Sequence, residues 1–425
     1  MPNTMSKIGG LDKITNHQYI DMNNENTGIE QLYSNFIKAH SYVANLQKKE
    51  IFDYKITKIN MISQIPKPEI TDSYYFPHEI QKYVNDNANY VIHYSCTIKN
   101  RNVNLYFTMF HDLSNDEIQS LNKYVYMIYM WVFIANIYAT NSCSKTFTLY
   151  AYLTPFKKML PDNQLTTLDT EHVNTAYTSG CRKNTEIVIF RKEEWFKVFI
   201  HETFHNFGLD FSSMNMRSVD SELNAIFNPN IEYKLYESYC ETWARIINVM
   251  FHTYNQLPYS GTTKNMRKEW VPKNINKFKL LFQKNMKKEC IHSMTQSIKI
   301  LQFMNLTHKL VTDKTPTSVN ICNHLYKEKT AVFAYYIITG LLVNNYIEFM
   351  NWCFLNNPSF LLFHKSQNNI ESYIQLIRRS KCDTNIRKNT VKVEKILLDM
   401  SDDNNLSESD RKTIMSLRMS ITDIL

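Results

Sequence analysis

Apolar and polar positions along this chain change period several times, and each change marks an element. Residues 90–96 and 103–110 alternate on either side of Lys99-Asn-Arg-Asn102, the period-2 pattern of a β-hairpin. Residues 116–139 are predicted as a helix, 146–153 as a strand, and the β-branched, aromatic run 186–190 as a second strand. The period then lengthens. Trp195, Phe196, Phe199, Ile200 and Phe204 give a helix its buried face, Glu193 and Glu194 fall where a first turn favours acids, and Gly208 suits a C-terminal cap. Downstream, Tyr236, Cys240, Trp243, Ile247 and Met250 form one buried helical stripe. Glu237, Glu241, Ala244 and Asn248 form a second, small and polar, stripe on the same helix.

Two uncharged stretches, 124–144 and 330–347, are long enough to raise the question of a membrane span. Asn136 and Asn141 interrupt the first, and Gly340, Asn344 and Asn345 the second, so both read as core helices. Residues 274–310 form a basic amphipathic helical region whose Lys277, Lys279, Lys284, Lys287 and Lys288 suggest a solvated face. Residues 401–425 read as a charged helix starting near Ser407 and Glu408. The expected division is a variable, partly disordered region over 1–70, a catalytic domain over 71–260, and a helical lid or docking domain over 261–425.

Composition adds limits. With 425 residues, 44% of them hydrophobic, the chain can bury a sizeable core. Lys+Arg at 48 against Asp+Glu at 40 is a mild excess, and no RNP, zinc-finger or arginine-rich segment accompanies it, so no specific nucleic-acid role is indicated. The eight cysteines form no C-x-x-C pair, which argues against a structural zinc or thioredoxin-type site. Free thiols in a reducing compartment are the expectation, with a Cys143–Cys181 disulfide as the alternative. No apolar h-region follows Met1, so no signal peptide and an intracellular location are expected.

The chemistry lies in Phe199-Ile-His-Glu-Thr-Phe-His-Asn-Phe-Gly208, an H-E-x-x-H on the predicted helix. Positions i and i+4 share a helical face, so His201 and His205 can reach one metal ion, and Glu202 stands beside its open position as general base. A catalytic zinc needs a third protein ligand. In one zincin pattern it would fall at Phe211, which cannot bind zinc. Asp210, one residue out of register, suits an outer carboxylate holding a ligand histidine by its other ring nitrogen. Glu241 is the expected third ligand, with Ala244 permitting close helix approach, and Glu237, one turn earlier, is the alternative.

The Glu-x-x-Ala at 241–244 resembles the third-ligand helix of gluzincins, metallopeptidases with two His and one Glu. The resemblance widens to an ordered block: Thr146-Phe-Thr-Leu-Tyr-Ala-Tyr-Leu-Thr-Pro155, Lys157-Lys-Met-Leu-Pro161, His172-Val-Asn-Thr-Ala-Tyr-Thr178, the strand, the H-E-x-x-H, and residues 236–248. Over about residues 115–255 this block is similar to uncharacterised metallopeptidase-like proteins of large DNA viruses. A composition rich in Asn, Lys, Ile, Tyr and Phe fits the A/T-rich genome of such a source.

The resemblance implies an α+β fold: a zincin-like catalytic domain, with a small mixed sheet and metal-binding helices, then a mostly α-helical C-terminal domain. It implies one Zn2+ held by His201, His205 and Glu241, and a polypeptide substrate lying along the sheet edge, expected at 186–190. The tetrahedral oxyanion would need a donor besides zinc; Tyr236 and Tyr239 are candidates, as are His172 and Tyr177 from the preceding loop. The alternative is a catalytically inactive zincin-like structural or interaction protein of a virion or replication complex. A host-cytoplasmic or virion location and viral protein partners follow from either view.

Overall fold

The computed structural model describes residues 27–47, 53–69, 74–257, 266–401 and 407–423. The architecture is α+β, with one mixed sheet among many helices. In chain order the elements that build the site are α1 (Thr27–Gln47), β1 (Tyr54–Lys58), α2 (His78–Asn87), β2 (Tyr90–Ile98), β3 (Arg101–Met109), α3 (Asn115–Tyr138), β4 (Thr146–Thr154), α4 (Thr170–Val173), β5 (Ala176–Thr178), β6 (Asn184–Arg191), α5 (Trp195–Asn206), α6 (Arg217–Asn224), α7 (Leu235–Gln256) and α8 (Met266–Phe303). Helices also make up most of residues 308–415.

The sheet runs β1-β2-β3-β4-β6-β5. β1, β2 and β3 are antiparallel neighbours, β3, β4 and β6 are parallel, and β5 closes the edge antiparallel to β6. Alternation decides the two faces. Leu105, Phe107, Phe147, Leu149, Ile187 and Ile189 point into the large helical core, while Tyr150, Tyr152, Val188 and Phe190 pack under α2 with Ile80 and Val84. The expectation that 186–190 forms the sheet edge is therefore corrected: β6 lies between β4 and β5, and the edge strand on that side is β5. Three residues are too few to show a period, which is why the sequence hid that strand.

α3 begins with a reciprocal cap. Ser114 Oγ accepts from Glu117 N at 3.3 Å, and Glu117 Oε2 accepts from Ser114 N at 2.9 Å. Its residues Met127 to Ala135 are buried, and Trp131 donates to Thr203 Oγ1 on α5 at 2.6 Å. The uncharged stretch 124–144 thus supports the metal-motif helix from behind. Among the described residues, no helix is long and apolar enough to cross a membrane.

One hydrophobic cluster extends from Ile29 on α1 through the sheet, α5, α7 and α8 to Met419, so the core does not divide at residue 261. Within the expected N-terminal variable region, α1 buries Leu32, Phe36 and Val43 completely, while 1–26, 48–52 and 70 lie outside the described residues. The basic face expected on α8 is only partly solvated: Lys277, Lys284, Lys287 and Lys288 are exposed, but Lys279 is buried against Glu30 at 2.6 Å. The expected helix over 401–425 covers only Glu408–Met415, capped by Ser407, and residues 416–423 continue without a helix. That segment is held by long-range bonds: Leu417 N to Lys158 O at 2.9 Å, Tyr336 OH to Leu417 O at 2.6 Å and Ser420 N to Glu194 Oε2 at 2.7 Å.

Of the eight cysteines, Cys143 and Cys181 form a disulfide and the other six are not disulfide-bonded. Free thiols throughout were the expectation; the pair forms because the loop before β4 and the β5–β6 turn meet, with Cα atoms 5.0 Å apart.

Candidate metal centre

β6 leads into α5 through Glu194, whose left-handed backbone (φ 48°) turns the chain sharply before Trp195. Glu194 is thus no exposed first-turn acid. It is buried and paired with Lys158, and its carboxyl is held at about 2: burial alone would raise it, and Lys158 and Lys197 outweigh that. α5 then lies on the sheet through Phe199 against Phe147 (ring centroids 5.9 Å) and Trp195 against Phe107 (6.2 Å).

The helix ends where the sequence indicated. Gly208 has φ +66°, Leu209 N bonds to Phe204 O at 2.9 Å and Gly208 N to His205 O at 3.1 Å, the paired bonds of a Schellman cap. This turn brings Asp210 back beneath the motif. A Cβ on Gly208 would lie 3.0 Å from Cys143 Sγ in addition to the left-handed strain. Gly208→Ala should therefore lower folding stability by about 1–2 kcal/mol, read as a drop in thermal midpoint. Gly180→Ala, where nothing lies within 4 Å of the new Cβ, should leave the midpoint nearly unchanged, and equal effects would refute the argument.

His201 and His205 project from one face of α5 towards α7, and their Nε2 atoms lie 3.3 Å apart. Glu237 completes the group: its Oε2 is 3.1 Å from His201 Nε2 and 3.3 Å from His205 Nε2. Among the described residues these three form a group able to hold a metal ion. The fit is quantitative, because donors around a tetrahedral ion bonded at about 2.0–2.1 Å stand about 3.3 Å apart.

Glu241, the expected third ligand, is placed elsewhere. Lys197 Nζ donates to both its oxygens, at 2.9 and 3.0 Å, and Arg245 Nε donates to Oε1 at 2.9 Å. Its Oε2 also lies 3.1 Å from His201 Nδ1, off the line of a straight hydrogen bond. The correction has a simple cause. Both glutamates share a face of α7, and the one level with a buried lysine and arginine is drawn to them, leaving Glu237 level with the imidazoles. Burial opposes the charge of Glu241, but Lys197, His201 and Arg245 hold its carboxyl well below the usual range.

Asp210 behaves as an outer carboxylate, with Oδ2 2.5 Å from His205 Nδ1 and Oδ1 accepting from Ser212 at 3.1 Å. Cys240 Sγ stands 3.9 Å from both His205 Nδ1 and Asp210 Oδ2. It forms a second metal-competent set on paper, but that set uses the nitrogen Asp210 already engages. Carboxylates beside both Nδ1 atoms favour the ring proton on that side, by a hydrogen bond at His205 and by proximity alone at His201, which leaves the Nε2 lone pairs facing inward. Two lone pairs and a carboxylate then face one another. Such a cluster of acceptors is stable only around a cation or added protons. In keeping with this, His205 is raised well above its ordinary value: burial would lower it, but Cys240, Glu237 and Asp210 more than reverse that.

The group opens on a cleft of ≈ 260 Å³, bordered by Glu202, by β5 and Gly180, and by Tyr236 and Tyr335. Burial raises Glu202, which brings a carboxylate closer to neutral pH. Among the tyrosine candidates, Tyr236 and Tyr177 line the cleft. Tyr239 does not: it is fully buried, and its hydroxyl donates to Leu361 O at 3.0 Å, because two positions along a helix turn it to the opposite side. His172 is likewise outside, its Nδ1 accepting from Asp169 N at 3.1 Å in a local cap.

Tyr335 was missed in the sequence. It sits in a π-helical turn (Phe333–Ile338), a distortion frequent at functional sites, with its ring 5.8 Å from that of His201. Only the uncharged run 330–347 marked that region, and nothing local singled out one tyrosine in it. No protein-family model, curated protein or solved structure matches this chain.

Proposed function

We propose that this chain is a zinc-dependent peptidase with a zincin-like arrangement, in which His201, His205 and Glu237 hold the ion and Glu202 is the general base. The observation that carries this is the mutual spacing of three inward-facing donors, 3.1, 3.3 and 3.3 Å, beside a cleft that also contains Glu202. A structural zinc would be closed by a fourth protein ligand; three donors at a cleft leave a position open. The likeness to gluzincins is kept in ligand type, two His and one Glu, but the glutamate is one turn earlier than the Glu-x-x-Ala match implied.

Bound zinc supplies Lewis acidity towards water and a scissile carbonyl. The chain's own residues do the rest. Glu202, one position past the first histidine, takes the proton of the attacking water and returns it to the leaving amine. Asp210 by a hydrogen bond, and Glu241 by its nearby charge, favour the ring protons on Nδ1, so both Nε2 lone pairs stay available. Tyr236 and Tyr335 are the phenols bordering the cleft; their pKa values are raised, chiefly by burial, so both remain neutral donors for a developing oxyanion. β5, an edge strand with no further strand beside it among the described residues, offers backbone groups along which an extended peptide can add.

The test is a peptide library incubated with the full chain. Cleavage should stop with a chelator and return with stoichiometric zinc; metal-loaded protein that cuts no peptide would remove the peptidase reading.

A further inference from the structure

The inner end of the cleft holds a charge that hydrolysis does not use. Lys158, in the loop after β4, has a side chain only 1% exposed, yet it lines the cleft together with Val198, Tyr335 and Met419. Its backbone is clamped on both sides, N donating to Glu193 Oε2 at 3.0 Å and O accepting from Leu417 N at 2.9 Å. The ammonium is therefore not free to swing out to solvent.

An ammonium has three donors. Among the described residues, Lys158 Nζ has one acceptor, Glu194 Oε1. Glu194 has little more to give: Oε1 also lies 3.7 Å from Lys197 Nζ, and Oε2 accepts from Ser420 N at 2.7 Å. Lys197 is satisfied by both oxygens of Glu241, and so differs from its neighbour. A buried charged donor without an acceptor is costly, more so than a neutral one. Burial, and then Lys197, hold Lys158 below the ordinary lysine value, although Glu194 and Glu193 act the other way. Because Lys158 borders the cleft, a carboxylate bound there could supply a further acceptor.

We infer that Lys158 makes the inner end of this cleft a carboxylate subsite, selecting peptides that carry a carboxylate next to the bond to be cut. The carboxylate is either an acidic side chain or the peptide's own C-terminus. A single ammonium in a cleft of ≈ 260 Å³, with Glu202, Glu237 and Glu241 also on its walls, suits a compact monoanion better than a phosphate. The cleavage part rests on the peptidase reading, whereas carboxylate recognition does not.

Binding can be separated from hydrolysis by calorimetry on the zinc-loaded Glu202→Gln chain. Four matched peptides are needed: glutamate or glutamine at one position, each with a free or an amidated C-terminus. Carboxylate-bearing peptides should bind about tenfold tighter or more. The glutamate–glutamine pair with amidated ends reports a side-chain source, and the free–amidated pair of glutamine peptides a C-terminal one. Adding Lys158→Met should abolish the preference, and Lys158→Arg should retain it. Equal binding of all four peptides, or no binding of any, overturns the subsite without recourse to a Lys158 variant, and so does a preference that survives Lys158→Met. If carboxylate preference is seen but no peptide is ever cut by the wild-type chain, the subsite stands and the peptidase reading falls.

Discussion

The Glu202→Gln chain is expected to bind one zinc per molecule and to cleave no peptide at a measurable rate. Glutamine keeps the shape and volume of the side chain but cannot accept the proton of an attacking water. General-base catalysis contributes about 10²–10⁴-fold, so turnover should fall by at least that range. Glu202 is absent from the three-donor group, so metal content should match wild type. Both readouts are needed, metal by mass spectrometry and turnover with the best library peptide. Unchanged turnover with full zinc would remove Glu202 from its role. An inactive scaffold would show zinc in both proteins and cleavage in neither.

The second large effect separates the two glutamates of α7. Glu237→Ala should abolish stoichiometric zinc binding, because it removes one of the three donors proposed among the described residues. Glu241→Gln should act differently. It removes the negative charge beside His201 Nδ1 and should weaken zinc by about 10–100-fold, the range for an outer carboxylate. It also leaves Lys197 and Arg245 without their shared counter-ion, both in fully buried surroundings. Breaking such a buried arrangement costs about 3–5 kcal/mol, so Glu241→Gln should show the larger loss of stability and the smaller loss of metal. Zinc titration and chemical denaturation of metal-free protein read the two effects independently. Should Glu241→Gln be the variant that loses zinc outright, the assignment of the third ligand reverses.

Much of this site was legible along the chain, and the parts that were not share a cause. The H-E-x-x-H, its capping glycine and the two-stripe helix depend on local periodicity, which a sequence displays directly. Asp210 as an outer partner of His205 followed from its position just past the cap. The choice between Glu237 and Glu241 did not follow, since they lie one turn apart on one face. It is set by what α5 presents opposite each, Lys197 at one level and the imidazoles at the next. A partial signal existed: Arg245 stands four residues after Glu241, the spacing of an ion pair on one helix. β5 is too short for a pattern, and its place as an edge strand is a property of strand order. Tyr335 and Lys158 reach the cleft through contacts 134 and 43 positions from His201 (335 − 201 and 201 − 158), beyond any local rule.

The fold also links the C-terminal segment to a site 219 residues earlier (420 − 201 = 219). Ser420 N fixes Glu194, Glu194 and Glu241 together enclose Lys197, and Glu241 stands against His201. The non-helical segment 416–423 is thus linked, through Glu194, Lys197 and Glu241, to the wall beside His201.

The most direct test of the central claim is an anomalous-difference map at the zinc edge from crystals of the zinc-loaded full chain. The account predicts one strong peak within about 2.0–2.2 Å of His201 Nε2, His205 Nε2 and a Glu237 carboxylate oxygen. No peak there, or a peak whose carboxylate comes from Glu241, would contradict it.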